Sequence, residues 1–319
     1  MLYSIIIPVY NRPDEIEELL QSLTHQSYKD FEVLIIEDGS EISCKNIAER
    51  YSDTLNLRYY FKENSGQGFS RNYGFERANG DYFVVFDSDC IIPPHYFESV
   101  TKELTISDAD CWGGPDKALP SFTPLQRAIN YSMTSFLTTG GIRGGKRRMD
   151  RFHPRSFNMG ISRKVYIKTG GYKITRMGED IEFSIRIIKN GFKTVLMNDA
   201  YVYHKRRTNF SQFYRQLKFF GRARINITRF YPDELKLTHI FPLLFFVGYL
   251  MILPLLILSF SVGAAVLSGY ATYSAILLIH SYSSEKSLEV AVLSVVAMYI
   301  QFTAYGTGLL TELYNRKSI

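Results

Sequence analysis

The sequence predicts an α/β fold, in which a mostly parallel sheet carries helices on both faces and is joined to C-terminal transmembrane helices. Apolar, β-branched runs alternate with amphipathic helical patterns in the first part of the chain. A hydrophobic fraction of 46% in 319 residues excludes disorder, and three cysteines are too few for a disulfide framework. Two long runs near the C-terminus contain no charged residue, as helices that cross a bilayer require.

The predicted elements follow one another from the N-terminus. Residues 4–9 form a run rich in β-branched side chains, which indicates a buried strand, and residues 14–26 repeat apolar side chains at helical spacing after Pro13. The same strand pattern recurs at residues 31–36, 57–61 and 82–86. A helix is expected to begin after the glycine-rich stretch at Gly66 and to continue to about residue 78. Strands that are separated by helices usually pair in parallel.

Polar residues end three of these strands, and they are Tyr10, Asn11, Asp38, Asp87 and Asp89. Each alone is typical of a turn or a helix cap, but together they predict a ligand-binding rim at the carboxyl ends of the strands. An exposed carboxylate such as Asp38 can accept the ring N–H of uracil or the paired donors of guanine. Asp87 and Asp89 offer the oxygen ligands that Mg²⁺ or Mn²⁺ prefers. Gly66 lets backbone N–H groups approach a phosphate, and Arg71 adds positive charge.

Nine short motifs, taken in order, resemble glycosyltransferase family 2. They are Ser4-Ile-Ile-Ile-Pro-Val-Tyr-Asn11, Glu37-Asp-Gly-Ser40, Asn64-Ser-Gly66, Arg71-Asn-Tyr-Gly74, Ala78-Asn-Gly-Asp-Tyr82, Asp87-Ser-Asp89, Asn158-Met-Gly-Ile-Ser-Arg163, Gly170-Gly-Tyr172 and Gly178-Glu-Asp-Ile-Glu182. The resemblance covers about residues 3–225 and implies an inverting, nucleotide-sugar-dependent transferase with the Rossmann-like GT-A fold. It also implies the residues that bind the nucleotide sugar, which are Pro8, Tyr10, Asn11, Asp38, Gly66, Arg71 and Asp87.

Such a transfer needs one group that stabilises the departing diphosphate and another that deprotonates the acceptor hydroxyl. Asp89 is the expected metal ligand, and Asp87 is the companion that reaches the metal or the ribose. His204 matches a histidine that often completes this metal site in similar enzymes, although a lone histidine is more often structural. Asp180 is the expected base with Glu179 beside it, although acids in a first helical turn are commonly only partners of the helix dipole.

Two further features leave alternatives open. Trp112, the only tryptophan, either stacks on a sugar ring or packs in the core. The glycine-rich, basic segment 140–148 indicates a mobile loop, which either closes over an anionic ligand or is simply solvated.

The charge pattern predicts a membrane protein. The segment between His204 and Pro232 carries only basic charges, and no basic leader opens the chain. We therefore expect a multi-pass protein of the inner (cytoplasmic) membrane, with its catalytic domain in the cytosol. The predicted domains are a catalytic domain at 1–208, a basic amphipathic interfacial helix at 209–235, and two or three transmembrane helices in 236–319. Length favours three spans, whereas Arg316 and Lys317 favour two, which would keep them with the other positive charges.

The favoured function is sugar transfer from a UDP- or GDP-linked donor to a hydroxyl of a membrane-associated, polyprenyl-linked glycan, with Mg²⁺ or Mn²⁺. A nearer alternative is transfer to polyprenyl phosphate, which would not need Asp180 because a phosphate is already ionised. A third possible function is that of a non-catalytic nucleotide-binding membrane subunit, but the intact acids Asp87, Asp89 and Asp180 argue against it. The pI of about 9.0 does not predict nucleic-acid binding, because the basic residues concentrate beside the apolar runs.

Overall fold

The computed structural model describes residues 1–140 and 152–317, so most of the predicted glycine-rich loop at 140–148 lies outside the described residues. The chain divides into two compact units. The sheet unit comprises Met1–Leu119 and Arg148–Lys205, and the helical unit comprises Pro120–Arg147 and Arg206–Ile319. The helical unit therefore includes residues 120–147, which the sequence assigned to the catalytic domain.

The sheet unit alternates strands and helices along the chain. Its strands are β1 (Tyr3–Val9), β2 (Phe31–Asp38), β3 (Leu57–Lys62), β4 (Tyr82–Phe86), β5 (Cys90–Ile91), β6 (Cys111–Gly113), β7 (Asp116–Lys117), β8 (Asn158–Ser162), β9 (Thr194–Leu196) and β10 (Val202–His204). Its helices are α1 (Pro13–Thr24), α2 (Lys45–Arg50), α3 (Gln67–Phe75), α4 (Tyr96–Ser107), α7 (Arg163–Thr169) and α8 (Glu179–Lys189). The four predicted strands are confirmed to within two residues, and α3 ends three residues earlier than expected.

Seven strands form the main sheet, in the order β3-β2-β1-β4-β8-β6-β9. The strands β3, β2, β1 and β4 pair in parallel, which confirms the mostly parallel sheet. Strand β8 is antiparallel to both of its neighbours, β4 and β6. The sequence did not predict this reversal, because an apolar run indicates burial but carries no information on pairing direction.

Strand β1 explains why the early strands read as unbroken apolar runs. Tyr3, Ile5 and Ile7 pack into the core cluster on one face of the sheet, with side chains of α1 and α4. Ile6 packs into the cluster on the other face, together with Phe183 of α8. Helices therefore cover both faces, and a central strand needs apolar side chains at every position. This packing holds the carboxyl ends of the strands in place.

Trp112 packs in the core, which is the second of the two alternatives that the sequence left open. Its side chain is completely buried, and its Nε1 donates a hydrogen bond to Tyr96 Oη at 3.3 Å. Gly160 of β8 faces the indole, and a Cβ at that position would lie only 2.0 Å from the ring. Because no face of the indole is exposed, Trp112 is not available to stack on a sugar.

Replacing Trp112 by alanine is expected to lower the free energy of unfolding by about 3–5 kcal/mol, because the variant loses buried area and leaves a cavity. Thermal melting followed by circular dichroism would measure the loss. Phe61→Ala is the matched control, since the Phe61 side chain on β3 is 58% exposed and its removal should change the melting temperature little. Equal melting temperatures for the two variants would contradict the core assignment.

A second, smaller sheet joins three short segments that are distant in sequence. Its strand order is β5-β10-β7, and β10 pairs antiparallel with β5 and parallel with β7. His204 lies opposite Cys90, and Val202 lies opposite Asp116. This sheet therefore brings the end of β10 to the residues that follow β4.

The helical unit consists of α5 (Pro124–Thr134), α6 (Phe136–Thr139), α9 (Phe210–Ile227), a 3₁₀ turn (Pro232–Glu234), α10 (Leu237–Leu258), α11 (Phe260–Glu285) and α12 (Leu288–Lys317). By length and composition, α10, α11 and α12 are each suited to cross a membrane. A single residue, Ser259, separates α10 from α11. The apolar face of α9 is covered by α5 and α12, and its interfacial location stays a prediction.

Candidate active site at the carboxyl ends of the strands

The polar ends of three neighbouring strands lie along one edge of the main sheet. The strands β2, β1 and β4 are adjacent and parallel, so their carboxyl ends point the same way. Asp38 ends β2, Asn11 follows β1 at a distance of two residues, and Asp87 follows β4 directly. The structure therefore forms the rim that the sequence predicts.

Arg71 joins the acids after β4 to the acids that begin α8. Its side chain is 1% exposed, and its Nη2 donates to Asp87 Oδ1 at 2.8 Å. Its Nη1 donates to Glu179 Oε1 at 3.3 Å, and Gln67 Nε2 donates to the same oxygen. Arg71 was expected beside a phosphate. In this structure its guanidinium contacts carboxylates, and any contact with the donor stays a prediction.

The electrostatics of these acids follow from burial. Burial raises the pKa of the Glu179 carboxyl, the nearby Asp180 charge raises it further, and Arg71 opposes both. Loss of hydration likewise raises the pKa of Asp87, where Arg71 opposes the rise and Asp89 adds to it. The acids therefore share one buried cation while repelling one another. Glu179 is 5% exposed, and its catalytic role beside Asp180 stays a prediction.

Asp89 and His204 form the candidate metal centre. His204 Nε2 lies 3.1 Å from Asp89 Oδ1, and His204 Nδ1 lies 3.7 Å from Asp116 Oδ2. The backbone reinforces this contact, because Lys205 N donates to Asp89 O at 3.1 Å. The His204 ring also stacks on Phe157, with ring centroids 5.0 Å apart. A carboxylate beside one ring nitrogen and a candidate ligand position at the other is the usual arrangement around a metal-binding histidine.

The donor set suits a hard divalent ion. The potential ligand atoms of Asp89, Cys90 and His204 lie within 4.8 Å of one another. Cys90 does not fit as a ligand, because its Sγ donates to Phe157 O at 3.4 Å and burial raises the pKa of the thiol well above its usual value. Asp87 interacts electrostatically with both Asp89 and His204. Within this cluster, the Asp89 carboxylate and the His204 imidazole are the groups that suit Mg²⁺ or Mn²⁺, and a direct contact from Asp87 stays a prediction.

Asp38 is buried, so the expectation of an exposed carboxylate is wrong. The residue is 3% exposed, and its Oδ1 accepts from Lys62 Nζ at 2.6 Å and from Ser65 N at 2.9 Å. Its Oδ2 accepts from Gly66 N at 2.8 Å. Burial alone would raise the pKa of Asp38, but the hydrogen bonds from Lys62 and Ser65 outweigh it, and the pKa is lowered. Asp38 therefore holds together the turn before α3, and its contact with a base stays a prediction.

Gly66 also has a packing reason that the sequence did not reveal. Its φ is +86°, and a Cβ there would lie 2.3 Å from Thr175 Oγ1. Gly68 N donates to Thr175 O at 3.1 Å. The N–H groups of both glycines therefore have protein acceptors in this structure, since that of Gly66 is used by Asp38.

Asn11 organises the loop that follows β2. Its Oδ1 accepts from Glu41 N at 2.8 Å and from Ile42 N at 3.1 Å, and its own N–H donates to Ser40 Oγ. Its φ of +54° is tolerated better by asparagine than by most residues. Of its predicted neighbours, Tyr10 is 49% exposed and Pro8 is partly buried within β1. The donor contacts of all three residues stay predictions.

Asp180 is the accessible acid of the pair at the start of α8. Its Oδ1 accepts from Ile181 N at 2.8 Å, and its Oδ2 lies 3.6 Å from Arg155 Nη1. The two preceding residues, Met177 and Gly178, have φ values of +63° and +98°. A positive φ at methionine is uncommon and is characteristic of functional sites. This backbone turn directs Glu179 inwards and leaves Asp180 partly exposed.

Three residues of the site were missed by sequence reasoning. Arg155 faces Asp180, Asp116 faces His204, and Lys62 binds Asp38. Each is an ordinary charged residue outside the recognisable motifs, and no pattern in the sequence distinguishes it. Only the spatial contact identifies these three.

Comparison with known proteins agrees with the geometry. The family described as glycosyl transferase family 2 matches residues 4–170. An uncharacterized glycosyltransferase of Rickettsia conorii is 36% identical over 154 residues, which is 40% of this chain and 25% of that protein. Glycosyltransferase GlyA of Streptococcus pneumoniae is 32% identical over 108 residues, which is 34% of this chain and 16% of that protein. The aligned segments thus span at most about a quarter of these two relatives.

Two solved structures are similar in fold. The mannosyltransferase PcManGT from Pyrobaculum calidifontis, in complex with GDP-Man and Mn²⁺, has a TM-score of 0.62 at 16% identity and covers 98% of this chain and 87% of its own. TarS 1–349 of S. aureus, in complex with UDP-GlcNAc, has a TM-score of 0.51 at 18% identity and covers 100% of this chain and 92% of its own.

The family match includes the segments that carry Asn11, Asp38, Arg71, Asp87 and Asp89. It extends over more than half of the chain, and the structural neighbours have the same layered arrangement of sheet and helices. The order of motifs and the family match together show that this chain belongs to glycosyltransferase family 2, with the GT-A fold.

Proposed function

We propose that this chain is a metal-dependent, inverting transferase that moves a sugar from a UDP- or GDP-linked donor to a hydroxyl of a membrane-associated, polyprenyl-linked glycan. The observation that carries the proposal is the double contact of Arg71. Its guanidinium binds Asp87, beside the candidate metal centre, and Glu179, beside the candidate base. The reaction needs the metal centre on the leaving-group side of the anomeric carbon and the base on the opposite side. Arg71, a buried side chain, thus links the residues proposed for these two roles.

Asp89, Asp87 and His204 would hold the Mg²⁺ or Mn²⁺ ion. When bound, such an ion neutralises the charge that develops on the departing diphosphate. Asp116, 3.7 Å from His204 Nδ1, would orient the imidazole so that Nε2 faces the ion. Pro8, Tyr10, Asn11, Asp38, Gly66, Arg71 and Asp87 are the proposed contacts of the nucleotide sugar, directly or through the loops that they hold.

Asp180 would act as the general base. Its Oδ2 takes the proton of the acceptor hydroxyl while the acceptor oxygen forms a bond to the anomeric carbon and the bond from that carbon to the diphosphate oxygen breaks. Direct displacement inverts the anomeric centre. The Ile181 N–H holds Oδ1 at 2.8 Å and so fixes the plane of the carboxylate. Glu179 would keep Arg71 in position from within the protein.

The membrane location is part of the same proposal. The apolar C-terminal helices would anchor the enzyme in the inner membrane with its sheet unit in the cytosol, where nucleotide sugars are made available. An anchored enzyme meets a lipid-linked acceptor at high local concentration. The absence of charge between residues 240 and 284 supports insertion into lipid.

A thermal melting experiment tests the donor and metal sites. A panel of UDP- and GDP-sugars is expected to raise the melting temperature by about 5–10 °C near saturation, and only with Mn²⁺ present. Asp89→Asn should abolish the Mn²⁺-dependent part of the rise, because it removes a charged ligand. Asp53→Asn, at an exposed position, should keep it. A full rise in Asp89→Asn would refute the metal site.

Transfer to a polyprenyl phosphate is a second candidate, because Arg155 lies 3.6 Å from Asp180. A guanidinium at this position suits an anionic acceptor as well as a carboxylate. A phosphate oxygen is already ionised, so Asp180→Asn would retain transfer to polyprenyl phosphate and lose transfer to a hydroxyl. Assays of the variant with both acceptors distinguish the two functions.

A further inference from the structure

The three apolar helices of the helical unit differ in how much of them is covered by protein. None of the most apolar 18-residue stretch of α10 is buried, and only 11% of that of α11, against 44% for α12. A helix that is apolar on all sides belongs either in lipid or in the centre of a protein bundle. Composition alone does not separate these two cases, but the contacts of α12 do.

Polar helices cover α12 over most of its length. In its middle, Ser132 Oγ of α5 donates to Gln301 Oε1 of α12 at 3.1 Å. The Arg127 side chain of α5 also binds the carboxylate and the backbone oxygen of Glu285, the last residue of α11. Near its end, the Glu312 carboxylate of α12 accepts from Arg222 and from Arg229, each at 3.0 Å. The C-terminal end of α12 is thus bound to two basic side chains, and its middle is bound to α5.

The contact between α9 and α12 is backbone to backbone. A Cβ on Gly308 would lie 2.1 Å from Lys218 O, and a Cβ on Gly221 would lie 2.1 Å from Tyr305 O. Such close crossing leaves no room for lipid between the two helices. If α12 crossed a bilayer, α9 would have to enter the bilayer with it, and α9 carries Arg215, Lys218, Arg222 and Arg224. Basic side chains are strongly disfavoured in hydrocarbon.

The path of α12 across α10 and α11 leads to the same result. Its successive contacts are Ser294 with Ser281, Tyr299 with Ser274, Tyr299 with Tyr249, and Gly306 with Leu243. As the residue number increases along α12, the residue numbers of its partners decrease on α11, from 281 to 274, and also on α10, from 249 to 243. The helices α10 and α11 are antiparallel. A helix that lay parallel to the pair would therefore contact increasing residue numbers on one of them. We conclude that α12 runs across the pair.

The pair α10–α11 is a tight apolar hairpin. A Cβ on Gly263 would lie 2.4 Å from Leu256 N, and Tyr270 Oη donates to Phe245 O at 2.6 Å. At the tip, Ile257, Leu258 and Phe260 are 77%, 80% and 76% exposed. A helix of 22 residues is roughly 33 Å long, comparable with the hydrocarbon thickness of a bilayer. The occupant that fits this uncharged, exposed surface is lipid.

We propose that the α10–α11 hairpin is the membrane-inserted element of this chain, entering tip first, and that α12 does not cross the bilayer but lies over the hairpin with α5 and α9. Both ends of α12 are then on the same side of the membrane. This inference rests on the contacts of the helical unit and is independent of the proposed transfer reaction.

Cysteine accessibility tests the topology in the full chain. Leu288→Cys and Tyr314→Cys place thiols at the two ends of α12, where the native side chains are 63% and 74% exposed. A membrane-impermeant maleimide should label both from the same side of sealed vesicles. Cys44, Cys90 and Cys111 are buried and provide an unreactive background. Labelling of the two positions from opposite sides would overturn the proposal, and protease sites inserted at the same positions give the same readout should either thiol react slowly.

A pair of lysine substitutions supplies an independent test. Leu253→Lys places a charge in α10 and Val296→Lys places one in α12, at side chains that are 66% and 41% exposed. Leu253→Lys should lower the carbonate-resistant membrane fraction several-fold, whereas Val296→Lys should match the parent protein. An equal loss in Val296→Lys would show that α12 lies in the hydrocarbon and would overturn the proposal.

Discussion

Asp180→Asn is expected to lower kcat for transfer to a hydroxyl acceptor by about 10²–10⁴-fold, because an amide cannot take the acceptor proton. The substitution keeps the size of the side chain and an oxygen that can accept from Ile181 N. Donor binding, measured by the Mn²⁺-dependent melting shift, should therefore be unchanged. Steady-state assays of the purified enzyme with donor and acceptor both saturating would measure the effect.

The control for this prediction is a carboxylate-to-amide change away from the site. Asp53→Asn alters an exposed acid that precedes the amino end of β3, whereas the site lies at the carboxyl ends of the strands. The variant should therefore keep kcat within a factor of about two of the parent. Asp180→Glu should retain part of the activity, because the carboxylate is kept but displaced. Near-normal turnover of Asp180→Asn on a hydroxyl acceptor would exclude Asp180 as the base.

Arg71→Met is expected to lower the free energy of unfolding by about 3–5 kcal/mol, because it leaves a buried acid without its cation. Glu179 is the more affected partner, since its side chain is 6% exposed whereas that of Asp87 is 37% exposed. The pKa of the Glu179 carboxyl, already raised by burial, should rise further without the opposing charge of Arg71. Trp112, the only tryptophan and buried in the sheet unit, reports urea unfolding of that unit by its fluorescence.

Arg50→Met provides a control with the same ion-pair distance and a different environment. Arg50 Nη2 lies 2.8 Å from Glu17 Oε1, as Arg71 Nη2 does from Asp87 Oδ1. The side chains of Arg50 and Glu17 are 59% and 42% exposed, so the loss should be about 0–1 kcal/mol. If Arg71→Met were no more destabilising than Arg50→Met, Arg71 would not be the buried link between the two groups of acids.

The parallel half of the sheet could be predicted from the sequence because each strand is buried on both faces. The run at residues 5–9 is apolar without interruption for that reason, and Pro13 marks the start of the next helix. The rim followed from the rule that parallel strands share one carboxyl edge. The acids and the asparagine at that rim could likewise be identified in the linear sequence.

The contacts of the site could not be predicted in the same way. Asp38 was expected to be exposed, yet Lys62 and the turn before α3 enclose it. Arg71 was expected beside a phosphate, yet it lies between Asp87 and Glu179, which is 108 residues away along the chain. Sequence patterns describe which face of an element is apolar, whereas an ion pair depends on where two elements meet.

The linear chain was enough to indicate the family, the first four strands and the helices between them, the acids at the strand ends and the uncharged C-terminal runs. Those features depend on local periodicity and on residue type, which the linear chain contains. The folded chain was needed to show that a small sheet carries His204 to Asp89, that one buried arginine joins two groups of acids, and that α12 lies across α10 and α11. Each of these depends on contacts between distant segments, and many different pairings of such segments satisfy the same local pattern.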